Sequence, residues 1–269
     1  MEFIALFFKT FLFRPYVFVF LTAFLFSAIQ LLGWQRTWRF FLISWGTAFA
    51  CEFSSTRTGI PFGLYHYNGS TVGQELYLSN IPFMVSISFS FLLYGAYCVT
   101  LCLLLPRDES ASASRLLPLR FDMSTRTSWP ILFLTALLFA VIDMVIDPIA
   151  LRGDRWFLGK IYYYSDPGIH FGVPLVNYLG WVVVGLISLL IWFPLDRRLT
   201  PIPTTTGTFV TQRILLGVGL YYSVLVFNLT VTFWIGEPLQ GLTGLFLCMP
   251  VTVLLLLRLF SYLPAHADL

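Results

Sequence analysis

The chain has 269 residues, 58% of them hydrophobic, 18% aromatic and only 11% charged. That is too apolar for an ordinary soluble domain and marks an integral membrane protein. The formal net charge of +3 is small and the basic residues are scattered over loops, which excludes a nucleic-acid groove or a polybasic lipid patch.

Hydrophobic runs cover residues 15–33, 38–53, 81–105, 129–147, 173–194, 211–234 and 241–262, against a need of about 20 residues per span. They predict an all-α polytopic bundle of about seven transmembrane helices, a single integral membrane domain over residues 1–269. The first run follows Lys9 and Arg14, is longer than a signal-peptide core and lacks a cleavage site, so it reads as a retained helix. The second is short and closes on Glu52, which an ordinary interfacial pairing with Arg57 would also explain.

Residues 54–80 are rich in Gly, Pro and Tyr and contain Tyr65-His66-Tyr67. The third helix opens at Ile81-Pro82, and proline in a first helical turn loses no needed hydrogen bond. It carries Cys98 and Cys102, which with Cys51 and Cys248 form no CxxC pair and read as small buried apolar groups. Pro106 to Ser128 is the most polar stretch and reads as a solvated cytoplasmic loop.

The fourth helix holds the most informative residue, Asp143, deep in the apolar run Ile131 to Ile146. An acid at such depth costs about 2.5–3.5 kcal/mol on insertion scales and is a functional-site hypothesis by default. Asp147 follows four residues later, on the same helix face. Asp147-Pro148 is also a common way to stop a helix, and Arg152 or Arg155 folding back would neutralise Asp143 structurally. Residues 148–172 then repeat the order of features seen earlier: acids ending a helix, a Tyr162-Tyr163-Tyr164 run, and Val173-Pro174 opening the next helix. Glu52, Asp143 and Asp147 therefore lie near one membrane face. Asn177, in the fifth helix near that face, is suited to orienting a water. Asn228 in the sixth reads as a helix-to-helix hydrogen bond. Tyr65, Tyr67, Trp156, Tyr163 and Trp181 crowd the same region, and aromatic faces stabilise cations by about 0.5–2 kcal/mol.

Counting Lys and Arg on alternate sides of seven helices gives ten against six, which places the C-terminus in the cytoplasm. Three histidines are too few for the boxes of membrane di-iron enzymes, and neither a zinc signature nor a nucleotide-binding glycine loop occurs. Asp143 and Asp147 do not have the DxxD spacing of membrane prenyltransferases. No cofactor and no metal are expected.

Glu52, the block from Thr58 to Tyr67, Pro82, Asp143, Asp147-Pro148, Gly153, Trp156 and the block Gly172 to Trp181 resemble the carotenoid biosynthesis protein family. These residues form a motif-bearing core of about 45–185. The characterised members are membrane carotenoid hydratases of the bisanhydrobacterioruberin hydratase type. Two departures stand out: Phe83 to Ser88 contains no tryptophan, and His170 replaces a commoner aromatic.

The resemblance implies hydration of an acyclic carotenoid end group (lycopene, γ-carotene or a bacterioruberin precursor) without a cofactor, in a prokaryotic cytoplasmic membrane. The substrate would come from the bilayer, and association with other carotenoid-pathway enzymes is expected. A carboxyl group kept neutral by burial is a suitable proton donor. Asp143 or Glu52 would protonate the terminal double bond to a tertiary carbocation, with Tyr65, Trp156 and Tyr163 stabilising it. Asp147 would take a proton from a water held by Asn177. End-group cyclisation begins with the same protonation and stays open on these residues. A carotenoid or lipid transporter using the acids as a proton relay, and a structural subunit, also stay open.

Overall fold

A computed structural model describes residues 2–108, 117–199 and 205–260. Among these residues, nine helices run as α1 (Glu2–Phe13), α2 (Pro15–Leu32), α3 (Trp34–Thr58), α4 (Phe83–Leu104), α5 (Met123–Arg126), α6 (Trp129–Ala150), α7 (Leu175–Arg197), α8 (Thr208–Trp234) and α9 (Pro238–Phe260). Each hydrophobic run expected to span coincides over most of its described length with a helix. Six helices, α2, α4, α6, α7, α8 and α9, are long and apolar enough to cross a membrane. The seventh, α3, has 25 residues, about 37 Å at 1.5 Å per residue, but it carries Arg36, Arg39, Glu52 and Arg57 and is much less apolar.

The structure adds α1, whose 12 residues are too short to span. It exposes Phe3, Ile4, Phe8 and Leu12. Pro82 and Pro174 precede α4 and α7 as N-cap residues in extended conformation instead of lying inside the first turn. Part of the polar 106–128 connection, residues 109–116 with Arg115, lies outside the described residues, as do residues 261–269 at the C-terminus.

The central helix is α4, buried over most of its length and packed against α2, α3, α6, α8 and α9. Lipid tails are as apolar as leucine, so helices associate through close packing, and small residues set how close they come. A Cβ on Gly217 of α8 would stand 2.2 Å from Cys98 Sγ on α4, and one on Gly244 of α9 would meet Val145 of α6 at 3.2 Å. Two of the four cysteines thus sit at helix crossings as small buried groups: Cys98 faces Gly217, and Cys248 packs with Val145 on the α6–α8–α9 side.

Six short strands lie in the connections: β1 (Tyr65–Tyr67), β2 (Tyr77–Leu78), β3 (Ile81–Pro82), β4 (Leu119–Phe121), β5 (Tyr162–Tyr164) and β6 (Thr205–Gly207). They pair antiparallel as β1–β5, β2–β3 and β4–β6. The β1–β5 ribbon ties the two aromatic loops together at one end of the bundle, as the alternation of helices predicted. At the same end Arg14 and Glu75 form an ion pair at 3.0 Å with both side chains fully buried. Arg14 also donates to Leu158 O at 2.5 Å, joining the α1–α2 corner to both loops. Arg14 is therefore an internal clamp and not a loop cation. At the other end Asp196 of α7 accepts from Arg36 at 2.6 Å and pairs with Arg126 at 2.7 Å.

Candidate functional site: three buried acids between two cavities

Antiparallel register decides which tyrosines face inward. Tyr65 pairs with Tyr164, His66 with Tyr163 and Tyr67 with Tyr162, and side chains alternate faces along a strand. Tyr65, Tyr67, Tyr162 and Tyr164 accordingly form a ring cluster with centroid separations of 5.5–6.1 Å. Tyr163, the member of the triple named from the sequence, turns to the outer face, where it is 46% exposed and packs on His66. The pleat brings Tyr162 and Tyr164 to the acids in its place. The period-two pattern of Tyr-His-Tyr facing Tyr-Tyr-Tyr is the signal that would have identified them.

Glu52 closes the buried face of α3 at 2% exposure. Its Oε1 accepts from the Tyr67 hydroxyl at 2.8 Å, and its Oε2 accepts from Ser86 of α4. Ser86 carried no sequence signal, because it is one of three serines, with Ser88 and Ser90, in an apolar helix. Asp143 is 1% exposed and accepts from the Asn177 amide at 2.9 Å. Asp147 accepts from Tyr164 at 2.6 Å, from Tyr162, and from the same Asn177 amide at 3.0 Å. Asn177 thus bridges both aspartates from the first turn of α7.

Structural neutralisation of these acids is excluded among the described residues, since none of the ion pairs includes Glu52, Asp143 or Asp147. Arg57 lies over the Phe53 ring at 3.5 Å and donates to Ser79. Arg152 and Arg155 both pair with Glu237. Three acids are held by neutral donors alone. Nor do three His, Cys, Asp or Glu side chains converge closely enough among the described residues to hold a metal ion.

Pro148 inside α6 lacks the N–H that would bond to the carbonyl of Met144. His170 Nε2 meets that oxygen at 3.0 Å, which anchors the 168–174 loop to α6 between the two aspartates. The α6 end is further tied by Arg152 to Pro148 O at 3.0 Å and by Trp156 Nε1 to Ile149 O at 3.0 Å.

Burial first, and the charge of Glu52 second, push the phenols of Tyr65 and Tyr67 well above their ordinary range. Burial and then Asp147 do the same for Tyr162 and Tyr164. The four phenols are therefore neutral donors.

Two cavities meet at this site. The first, about 60 Å³, is lined by Glu52, Asp147, Asn177 and the four inward tyrosines, with Phe62, Val85, Phe89 and Trp181. The second, about 140 Å³, is largely apolar: Asp143, Asp147 and Asn228 face rings and aliphatic groups of α2, α4, α6, α8 and the 156–161 loop. Val85, Phe89, Asp147, Tyr162 and Trp181 line both cavities and form the partition. Trp181 stacks on Phe89 at 4.1 Å and 12° and lies 4.6 Å from Phe139. Trp156 belongs to the second cavity, in a cluster with Tyr16, Phe157 and Phe227. Asn228 bonds within its own helix, to Val224 O at 2.9 Å, instead of across helices. The structure so brings together every sequence-named site residue except Tyr163.

A sequence profile for the family described as "Carotenoid biosynthesis protein" matches residues 13–251. The chain is also similar to a bisanhydrobacterioruberin hydratase of Haloarcula japonica, at 28% identity over 204 residues. That alignment covers 73% of this chain and 58% of the relative, so the chain matches little more than half of the relative's length. No solved structure matches.

Proposed function

This chain belongs to the carotenoid biosynthesis protein family, and from that membership and the geometry of its acids we propose that it hydrates the terminal double bond of an acyclic carotenoid. The observation that carries the reading is Asp147 standing in the partition between a polar and an apolar cavity, with Asp143 on the apolar side. Hydration needs both a proton for carbon and a water on the same end group, and this arrangement supplies a separate place for each.

The apolar cavity takes the isopropylidene end of the substrate. Tyr16, Phe20 and Phe227, half-buried between α2 and α8, form its boundary with lipid, and the rest of the polyene lies in the bilayer. Asp143, with one hydrogen bond, gives its proton to the terminal alkene, whose π electrons form the new C–H bond and leave a tertiary cation. Trp181, Phe89 and Tyr162 line the partition, and each ring facing such a cation is worth about 0.5–2 kcal/mol. A water oxygen then forms the C–O bond and passes its proton to Asp147. With three donors on its carboxyl, Asp147 has the arrangement of a group that takes rather than gives a proton. Transfer from Asp147 back to Asp143, both bonded to Asn177, completes a cycle that needs only water as co-reactant. Two acids in different surroundings divide the roles of acid and base.

The test is purified protein in lipid vesicles with an acyclic carotenoid. A product heavier by one water supports hydration. An unchanged mass with a new ring gives cyclisation and overturns the proposal. Asp143→Asn removes the acid while leaving the protein in the membrane, and full activity in that variant removes Asp143 from the role.

A further inference from the structure

The two acids proposed as proton donors from the sequence, Asp143 and Glu52, open on different cavities. Asp143 lines the apolar one and Glu52 the polar one, and neither lines both. Each Glu52 carboxyl oxygen accepts one hydrogen bond, from Tyr67 and from Ser86, and keeps a second acceptor site that a water in the same cavity can use.

A cavity of about 60 Å³ exceeds the roughly 10–15 Å³ that one water needs, and a buried water needs two to four polar partners. The polar cavity offers two carboxyls, an amide and inward phenols. The larger cavity is lined mostly by rings and aliphatic groups, so over most of its wall it offers water no partner. On the hydratase reading above, which this inference deepens, we propose that the Glu52 cavity holds the attacking water and hands it to the cation across Asp147. Glu52 is then a positioning residue for that water and not the acid that protonates the polyene.

The chemistry separates the two roles. Asp143 makes the cation by forming a C–H bond. When water is present the C–O bond forms and Asp147 takes the water proton. When water is missing and no internal double bond captures the cation, an adjacent C–H gives up its proton to Asp143 and the double bond re-forms. In heavy water this reversal leaves deuterium in recovered substrate without forming alcohol.

The experiment follows both readouts in D₂O vesicles by mass analysis of extracted pigment, for wild type, Glu52→Gln, Tyr67→Phe and Asp143→Asn. In the Glu52 and Tyr67 variants alcohol is expected to fall about tenfold or more, the worth of one hydrogen bond to a charged group, while deuterium still enters recovered substrate. Asp143→Asn should lose both. The inference is overturned if Glu52→Gln, eluting from size exclusion as wild type does, loses deuterium uptake together with alcohol, because Glu52 is then the acid. It is overturned equally if Glu52→Gln keeps wild-type hydration. Tyr67→Phe decides in the same way if the Glu52 variant does not fold. A wild type that exchanges deuterium but makes no alcohol defeats the hydratase reading itself, and this inference with it.

Discussion

Replacing Asn177 by leucine keeps the number and branching of the side-chain heavy atoms and removes the amide that bonds both aspartates, at 2.9 Å to Asp143 and 3.0 Å to Asp147. Asp147 keeps its two tyrosine donors, whereas Asp143 loses its one side-chain hydrogen bond among the described residues. A hydrogen bond to a charged group contributes about 1.5–3 kcal/mol. Asp143 becomes an anion as it gives up its proton, so this bond is stronger in the transition state than in the ground state. At 1.36 kcal/mol per tenfold, one such bond predicts a turnover about 10- to 150-fold slower. The assay is initial rate of alcohol formation in vesicles at saturating carotenoid, with the amount of folded protein fixed by size exclusion. Asn177→Leu within about threefold of wild type would refute the bridging role, since even the weakest charge-assisted bond exceeds that.

The Arg14–Glu75 pair is fully buried, so Arg14→Met should destabilise the solubilised protein by about 3–5 kcal/mol, the usual cost of a stranded buried charge. Adding Glu75→Leu should recover much of it in thermal unfolding; no recovery would mean that packing, not charge, is at stake. A Cβ on Gly180 would stand 2.5 Å from the Phe62 ring and 2.9 Å from Pro61 O, so Gly180→Ala should cost about 1–3 kcal/mol by overpacking and reduce hydration by displacing a wall of the polar cavity. Tyr163→Ala should leave hydration within about twofold, whereas Tyr164→Phe should slow it about tenfold or more by the loss of one donor to Asp147; equal effects would place both rings in the same role. The four inward phenols have pKa values raised on folding, so the folded state binds more protons than the unfolded one above the ordinary phenol value of about 10. Stability should therefore be unaffected by these groups below about pH 10 and fall as pH rises beyond it, as a thermal unfolding series on that limb would show.

The helical class, the two loops on one side and the three acids near one end were legible because each depends on local information. Apolar runs of span length can only be helices in lipid, where every backbone group must bond internally, and the up-and-down alternation of successive long helices decides which loops share a side. Asp143 was legible for the same reason, as an acid with no cheap place in hydrocarbon. The short strands β1 and β5 carry their period-two signal only as a pair, and the partner of each lies about a hundred residues away.

What residues 1–269 determined by themselves is thus the class of molecule and the identity of its costly groups, since apolar length and buried charge are properties of composition along the chain. The tertiary structure alone decided which partner each group has. A ring contact took up Arg57 and pairing with Glu237 took up Arg152 and Arg155, register turned Tyr162 and Tyr164 inward and Tyr163 outward, and helix packing set Asp147 in a wall shared by two cavities. Those outcomes depend on distances between segments far apart in sequence, and a single chain read in order contains no measure of them.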